Sequence, residues 1–325
     1  MKRRAGVAGM AACTLLPTTW AQQGEEPLRI GLISPTSAAA NQPRLEALKA
    51  ALSELGYAEG RNLVIDYRFA DGRFERLPEL ARELAAQRVR LIVAINTPAA
   101  LAAAAAPGQT PVLFASVGDP VAIGLVRDLS RPGGKLSGTT NMARDLSQKR
   151  MQLLREMLPA ARRLAVLTNP GDPIAASQEA DVRAAAPALG FELRFLPVRD
   201  VAALPDALRR AVDWPADAVL RIAEPLLTQH RVLLADALLQ RRLPSMMVTA
   251  QEVRDGGLMS YFAIEAEEYR ALAVYIDRLL KGASPAELPV QQPTRFALVI
   301  NLRTARQLGV AVPTALRLRA DEVIE

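Results

Sequence analysis

Five short polar clusters carry most of the chemistry this sequence offers: Ser34-Pro-Thr36, Asn96-Thr97-Pro98, Ser116-Val-Gly-Asp119-Pro120, Thr168-Asn169-Pro170 and Glu224-Pro225. Each follows a short apolar run, and several precede a helical pattern. The free N–H groups at a helix start, joined by a threonine or serine hydroxyl, bind an anion without any basic side chain. Taken singly, Thr97 and Asp119 read as caps of the helices behind them. Repeated at successive strand ends, the clusters read as the rim of one cleft, the place where open α/β sheets hold ligands.

Catalytic chemistry has much less to work with. His230 is the only histidine and Cys13 the only cysteine. No histidine or cysteine set has metal-ligand spacing, there is no Gly-x-Ser-x-Gly elbow, and no Gly-Lys-Ser/Thr phosphate loop. Gly31-Leu-Ile-Ser follows the first apolar run but lacks the three glycines of a dinucleotide fingerprint. Carboxylates are abundant, yet no pair stands out as an acid and base. The expectation is a binding protein with no cofactor, no metal and no catalytic residues.

The elements that must position these clusters alternate strand and helix. Leu28–Ser34, Asn62–Phe69, Leu91–Asn96 and Pro111–Ser116 read as strands, the third so continuously apolar that it belongs inside a parallel sheet. Helices are expected at Arg44–Leu55 and Glu75–Arg88, from Thr97 (N-cap Thr97, first residue Pro98) and from Asp119-Pro120. The alternation then restarts. Strands fall at Leu164–Thr168, Glu192–Val198, Ala218–Ile222 and Pro244–Val248, with helices at Val201–Val212, Leu226–Arg242 and Ile264–Lys281 between and after them. Arg131-Pro-Gly-Gly134 to Asn141 reads as a connection between two sheets. The fold class is α/β, with two doubly wound, Rossmann-like lobes.

At 325 residues the chain has room for two domains. Half its residues are apolar and only 4% aromatic, so Ala, Leu and Val must build the core. Met1 to Ala21 has the order of a secretory signal peptide: Lys2, Arg3 and Arg4, then the uncharged Ala5–Leu16, then small Ala21. Cleavage there starts the mature chain at Gln22 in the periplasm and leaves it without cysteine. A crude lipobox ending at Cys13 is the minor alternative. Formal charge is +6; without Lys2, Arg3 and Arg4 the 40 basic side chains become 37 against 34 acidic. They are scattered among acids, the pattern of solvated helix faces and not of a nucleic-acid stripe.

A resemblance runs along nearly the whole mature chain. Its markers are Glu54-Leu-Gly-Tyr-Ala-Glu-Gly-Arg-Asn62, Gly72-Arg-Phe-Glu-Arg-Leu-Pro78, Thr97-Pro-Ala-Ala100, Gly118-Asp-Pro-Val121 and Arg131-Pro-Gly-Gly134. Gly256-Gly-Leu-Met-Ser-Tyr261, Gln292-Pro-Thr-Arg-Phe296 and Arg319-Ala-Asp-Glu-Val-Ile-Glu325 complete them. In this order they resemble the substrate-binding proteins of ABC transporters of the tryptophan/tyrosine-binding type. The resemblance implies a periplasmic-binding-protein fold of type I, with a three-segment hinge. Residues 28–140 plus 264–284 would form lobe 1, and 141–262 plus 288–325 lobe 2. It implies capture of a small carboxylate-bearing ligand between the lobes by a monomer, and delivery to an ABC permease at the inner membrane. A sensor subunit feeding a membrane receptor is the alternative. Carried over, the first-lobe contacts are Ser34, Thr97, Ser116 and Asp119, with Thr97 and the N–H groups behind it on the carboxylate. The second-lobe contacts are Asn169, Glu224, Thr249 and Tyr261, with Glu224 facing a ligand amine. The chain departs from the family's usual pattern at Lys135, at Phe262 and in Arg221-Ile-Ala-Glu-Pro225.

Overall fold

The computed structural model describes residues 26–325, apart from the side chains of residues 144 and 145. The signal-peptide segment and Cys13 lie outside the described residues. The first lobe is laid down by β1 (Leu28–Ser34), α1 (Ala38–Glu54), β2 (Leu63–Phe69), α2 (Leu77–Ala86), β3 (Ile92–Ile95), α3 (Thr97–Ala105), β4 (Val112–Val117) and β5 (Leu136–Thr140). All its strand pairs are parallel, in the order β2-β1-β3-β4-β5.

The period of two along these strands sorts the core. Ile30 and Leu32 of β1, with Val93 and Ile95 of β3, pack on Leu48 and Leu52 of α1. Ile33, Ile92 and Ala94 point the other way, onto Leu77, Leu80 and Leu84 of α2 and the alanines of α3. With both faces covered, the central strand β3 has to be continuously apolar, and it is, while polar residues fall at strand ends and on the edge strands β2 and β5. Each fully buried Leu or Ile contributes about 1.5–3 kcal/mol.

The chain then crosses to α4 (Ala143–Met157), β6 (Arg163–Thr168), α5 (Ala175–Ala185), β7 (Glu192–Pro197), α6 (Leu204–Asp213) and β8 (Ala218–Arg221). α7 (Pro225–Gln229), α8 (Arg231–Gln240), β9 (Ser245–Met247), α9 (Ala250–Arg254) and β10 (Met259–Ala263) follow. It returns for α10 (Glu265–Leu280), which lies on α1 and closes the first sheet with Tyr269, Leu272 and Ile276. A third crossing leads to β11 (Phe296–Asn301), α11 (Leu302–Leu308), α12 (Thr314–Arg319) and β12 (Glu322–Ile324).

The second sheet has the order β12-β11-β10-β9-β8-β6-β7. Its β7-β6-β8-β9-β10 portion repeats the winding of the first sheet. The sheet is mixed rather than wholly parallel, because β11 runs antiparallel to β10 and β12 follows β11. The three crossing segments are hydrogen-bonded together: Thr140 N donates to Gln291 O at 2.9 Å, and Ile264 N to Arg295 O at 3.2 Å. Leu288 and Val290 still pack against the first sheet, so the last crossing comes after them.

Several local expectations need correction. Asp119-Pro120 opens a turn, not a helix. Asp119 Oδ1 accepts Ala122 N at 2.9 Å, while Pro120 O accepts both Leu125 N and Val126 N, five and six residues on, a pattern that closes a turn and does not propagate an α-helix. The Arg131–Asn141 connection contains a strand of the first sheet, β5. The helix expected at Leu226–Arg242 breaks at His230 into α7 and α8, and α1 starts before Arg44, at Ala38, where Ser37 Oγ caps it.

Candidate functional site

The carboxyl ends of the two sheets face each other across a partly open cavity of about 70 Å³. A single water needs ~10–15 Å³ on such a measure, so the space holds a small solute and no more. Asn96, Thr97, Ser116 and Gly118 wall it from the first lobe; Arg150, Asp172, Ile174, Glu224 and Thr249 wall it from the second; Phe262, Glu265 and Glu268 lie at the second crossing. The lobes touch around it. Ser37 N donates to Gln229 Oε1 at 3.1 Å, and Ile174 packs so tightly on Gly118 that a Cβ there would meet its Cδ1 at 2.0 Å. The molecule is in its closed form.

The first-lobe wall holds strained backbone. Asn96 and Ser116 end β3 and β4 with φ of 67° and 56°, the left-handed region that non-glycine residues avoid. Such positions cost on the order of 1–3 kcal/mol each and persist only where the surroundings enforce them. Glu268 enforces the second: its carboxylate accepts Ser116 N at 2.5 Å, Ser116 Oγ at 2.7 Å and Thr139 Oγ1 at 2.5 Å. Burial holds the Glu268 carboxyl above its ordinary range, with the Thr139 and Ser116 hydrogen bonds pulling against it. Asn96, not Thr97, occupies the N-cap of α3, and Thr97 is its first helical residue. The Asn96 side chain does not cap; its Oδ1 is buried without a partner.

The second-lobe wall rests on buried charge. Glu224 caps α7, accepting Leu226 N at 2.7 Å and Leu227 N at 2.5 Å, and takes Asn169 Nδ2 at 3.3 Å. Beneath it, Arg221 is fully buried. Its Nη1 lies 2.8 Å from Glu252 Oε1, and its Nη2 donates to Glu224 O at 2.6 Å. Glu252 also forms a capping box with Thr249 at the start of α9. Arg150 reaches the cavity from α4, its Nε donating to Tyr261 O at 2.8 Å. Asp172 accepts Ile174 N at 3.1 Å, and burial pushes its carboxyl up to about 7.

That shift has a signed consequence. A carboxyl protonated in the fold up to pH ~7 but ionised in the unfolded chain above its usual ~3.9 costs stability as pH rises between those values. Asp172→Asn keeps the oxygen that accepts Ile174 N and removes the titration. Its stability advantage over wild type is expected to be near zero at pH 4. It should grow toward pH 7.5 to ~2–4 kcal/mol, at ~1.4 kcal/mol per unit. Urea unfolding of both proteins at the two pH values measures it; a pH-independent difference would remove Asp172 as a buried titrating group.

The cavity brings together Thr97, Ser116, Glu224 and Thr249 of the residues expected from sequence. Ser34 lies behind it, in a buried network where Asn41 Nδ2 donates to Thr36 Oγ1 at 2.7 Å and Ser34 Oγ at 3.0 Å. Asp119 belongs to its turn. Asn169 backs Glu224, and Tyr261 stacks its ring on Phe296 at 5.9 Å, giving Arg150 only its carbonyl. Arg150, Asp172 and Glu268 were not expected, and Asn96 was expected only as part of the rim cluster Asn96-Thr97-Pro98. Arg150 left a trace: Leu146, Arg150, Leu153 and Met157 share one helical stripe, where a cation among apolar neighbours marks a buried charge. Glu268 sits in Glu265-Ala-Glu-Glu268, which reads only as an acidic first turn.

A family model described as ABC transporter substrate binding protein matches residues 29–324. A protein of Clostridioides difficile (strain R20291) called a tyrosine-binding protein is 26% identical over 276 residues, 84% of this chain and 77% of its own length. Among solved structures, a conserved domain protein from Vibrio cholerae is 26% identical with a TM-score of 0.87, covering 92% of this chain and all of that one. An ABC domain from Streptococcus pneumonia in complex with L-Trp is 24% identical with a TM-score of 0.84 and the same coverage.

Proposed function

The chain belongs to the ABC transporter substrate binding protein family, and on that premise we propose that it is an exported capture protein for a small carboxylate-bearing solute, an amino acid or a related organic acid. The observation that carries this reading is the cavity itself: small, and walled by two lobes that meet directly at Gly118 and Ile174. Hinge closure of two lobes around a ligand is the motion by which a capture protein holds its solute. The tyrosine-binding relative and the tryptophan complex support the ligand class.

In this reading the ligand carboxylate lies at the start of α3, against Thr97 and the N–H groups behind it. Ser116 and Thr249 add hydroxyls, and the amine faces the acidic side of the second lobe, Glu224 and Asp172. The protein works in the periplasm after removal of its first 21 residues, as a monomer without nucleic acid, and hands its ligand unchanged to a membrane permease. The order of charge, apolar run and small residue in Met1–Ala21 supports export, and no helix among the described residues is long and apolar enough to cross a membrane. Solution scattering tests capture. The radius of gyration is expected to fall when the stabilising amino acid is added, and mass spectrometry should recover that amino acid intact after long incubation. A product that needs the protein, or an unchanged radius at saturation, would overturn it.

A further inference from the structure

Arg150 is the one cavity-lining cation whose charge is not spent inside the protein. Arg44, the other, is paired with Glu265 at 2.7 Å. The neighbouring Arg221 has Glu252 at 2.8 Å. Arg150 is only 3% exposed and makes one hydrogen bond, to a carbonyl; its Nη1 is buried with no partner, and no salt bridge involves it among the described residues. A guanidinium carries five donors, and a buried charge without a counter-ion is costly enough that proteins rarely keep one without use. Burial and the proximity of Arg221 push its ionisation down to about 9, which leaves it cationic at neutral pH.

No acid around the cavity forms an ion pair with it. Glu224 is held by two backbone N–H groups and Asn169, Glu268 by Ser116 and Thr139, and Glu265 by Arg44. Asp172 accepts Ile174 N, and Glu252, whose charge reaches Arg150 through space, is paired with Arg221 and bound to its own cap. A ligand carboxylate would supply the direct ion pair that these acids do not. The start of α3, on the opposite wall of the same small cavity, offers the other half of an anion site.

We propose that Arg150 is the second lobe's anchor for the ligand carboxylate, so that the carboxylate bridges the Arg150 guanidinium and the start of α3 when the lobes close. This rests on the reading of the protein as a capture protein. Binding from α3 alone would hold a ligand on one lobe; a carboxylate shared with Arg150 makes closure itself part of recognition. It also gives the closed form a differential affinity, without which no ligand shifts an equilibrium between open and closed. Charge-assisted, bidentate contacts of guanidinium with carboxylate are the strong ones, and Lys does not reproduce the fork.

The test is a matched series titrated by calorimetry: L-tyrosine, tyramine, which lacks the carboxylate, and 3-(4-hydroxyphenyl)propionate, which lacks the amine. The leucine set, L-leucine, isoamylamine and 4-methylpentanoate, runs beside it. Wild type is expected to bind carboxylate-bearing members at least 100-fold more tightly than the amines. Arg150→Gln should remove that preference, Arg150→Lys should restore it in part, and weak amine binding should change less than threefold. Arg150→Met supplies an independent reading. Removing an unanswered buried cation should leave the unfolding midpoint of the ligand-free protein unchanged or higher, whereas a structural arginine would lower it sharply. A sharp drop in that midpoint, or full affinity for the acids in Arg150→Gln, would overturn the proposal while capture stands. If wild type binds the amines as well as the acids, the carboxylate anchor falls and capture stands; if it binds no member of either set, both fall.

Discussion

Gly118→Val is expected to fold like wild type and to lose almost all ligand affinity. Position 118 lies on the first-lobe rim, and in the closed form a Cβ there would stand 2.0 Å from Ile174 Cδ1 and 3.3 Å from Ala143 Cβ, both on the second lobe. Overlap of that kind cannot persist in a close-packed seam, so the lobes must stay apart. In the open form the clash is expected to disappear, because Ile174 withdraws with the second lobe. The mutation therefore taxes one conformation only, and a ligand held by both lobes loses the half it gains on closing. We expect a loss of at least ~100-fold, about 2.7 kcal/mol, at an unchanged unfolding midpoint without ligand. Gly118→Ala should be milder, near ~10-fold or about 1.4 kcal/mol, because the end of Ile174 can swing aside. Calorimetric titration gives the affinities, and scattering should show Gly118→Val keeping its larger radius with ligand present. Wild-type affinity in Gly118→Val would mean that this seam does not report closure.

The largest expected loss of stability is Glu252→Ala. Glu252 is buried completely, and three demands converge on it: the Arg221 guanidinium at 2.8 Å, and the Val248 and Thr249 N–H groups at 2.9 Å and 3.2 Å. Breaking a buried ion pair from one side typically costs 3–5 kcal/mol, because the surviving charge has nowhere to go. Here Arg221 would keep only Glu224, 3.7 Å away, and would face the like charge of Arg150 without Glu252 beside them. Denaturant unfolding of the ligand-free protein should show a drop of ~3–5 kcal/mol. The double variant Arg221→Met with Glu252→Leu should recover most of it, since apolar replacement of a buried pair is often neutral. Recovery should be incomplete by ~1–3 kcal/mol, the cost of unsatisfied buried N–H groups. A drop under ~1 kcal/mol in Glu252→Ala would show that the pair is not a structural charge.

The sheets were legible because burial on both faces leaves little choice of residue: Ile92–Ile95 is apolar throughout, and Val112–Val117 is apolar but for Ser116 at the rim. The rim was legible for the same reason, since a strand that ends at a cleft ends in small polar residues. Thr97 and Ser116 were found that way. The side chains that reach the cavity from mid-helix were not, because a charge on a helix reads as solvated until its neighbours in space are known. Arg150 is preceded in sequence by Gln148 and Lys149, and the stripe it shares with Leu146, Leu153 and Met157 is too faint a trace until the fold sets it against the Tyr261 carbonyl of a distant strand. Glu252 was nearer to discovery: Thr249-Ala-Gln-Glu252 is the spacing of a capping box, and it is one. Asp119 failed in the opposite direction. Asp-Pro starts turns as readily as helices, and the carbonyl of Pro120 was taken by Leu125 and Val126.

α10 comes from residues 265–280 yet covers strands made of residues 28–34 and 92–95. During synthesis at ~5–20 residues per second, the interval between them is on the order of 10–50 s. Throughout it the side of the first sheet carrying Ile30, Leu32, Val93 and Ile95 is covered by α1 alone, and its contacts with Tyr269, Leu272 and Ile276 do not exist. The N-terminal lobe thus cannot become a finished domain before the ribosome has delivered nearly the whole polypeptide. Interleaving the two lobes in the chain makes their folding one late, cooperative event, with high contact order and slow collapse to the native state. On the proposed export, passage through a membrane pore in the unfolded state is helped by that delay, and its cost is an apolar surface left uncovered until residue 280 has emerged.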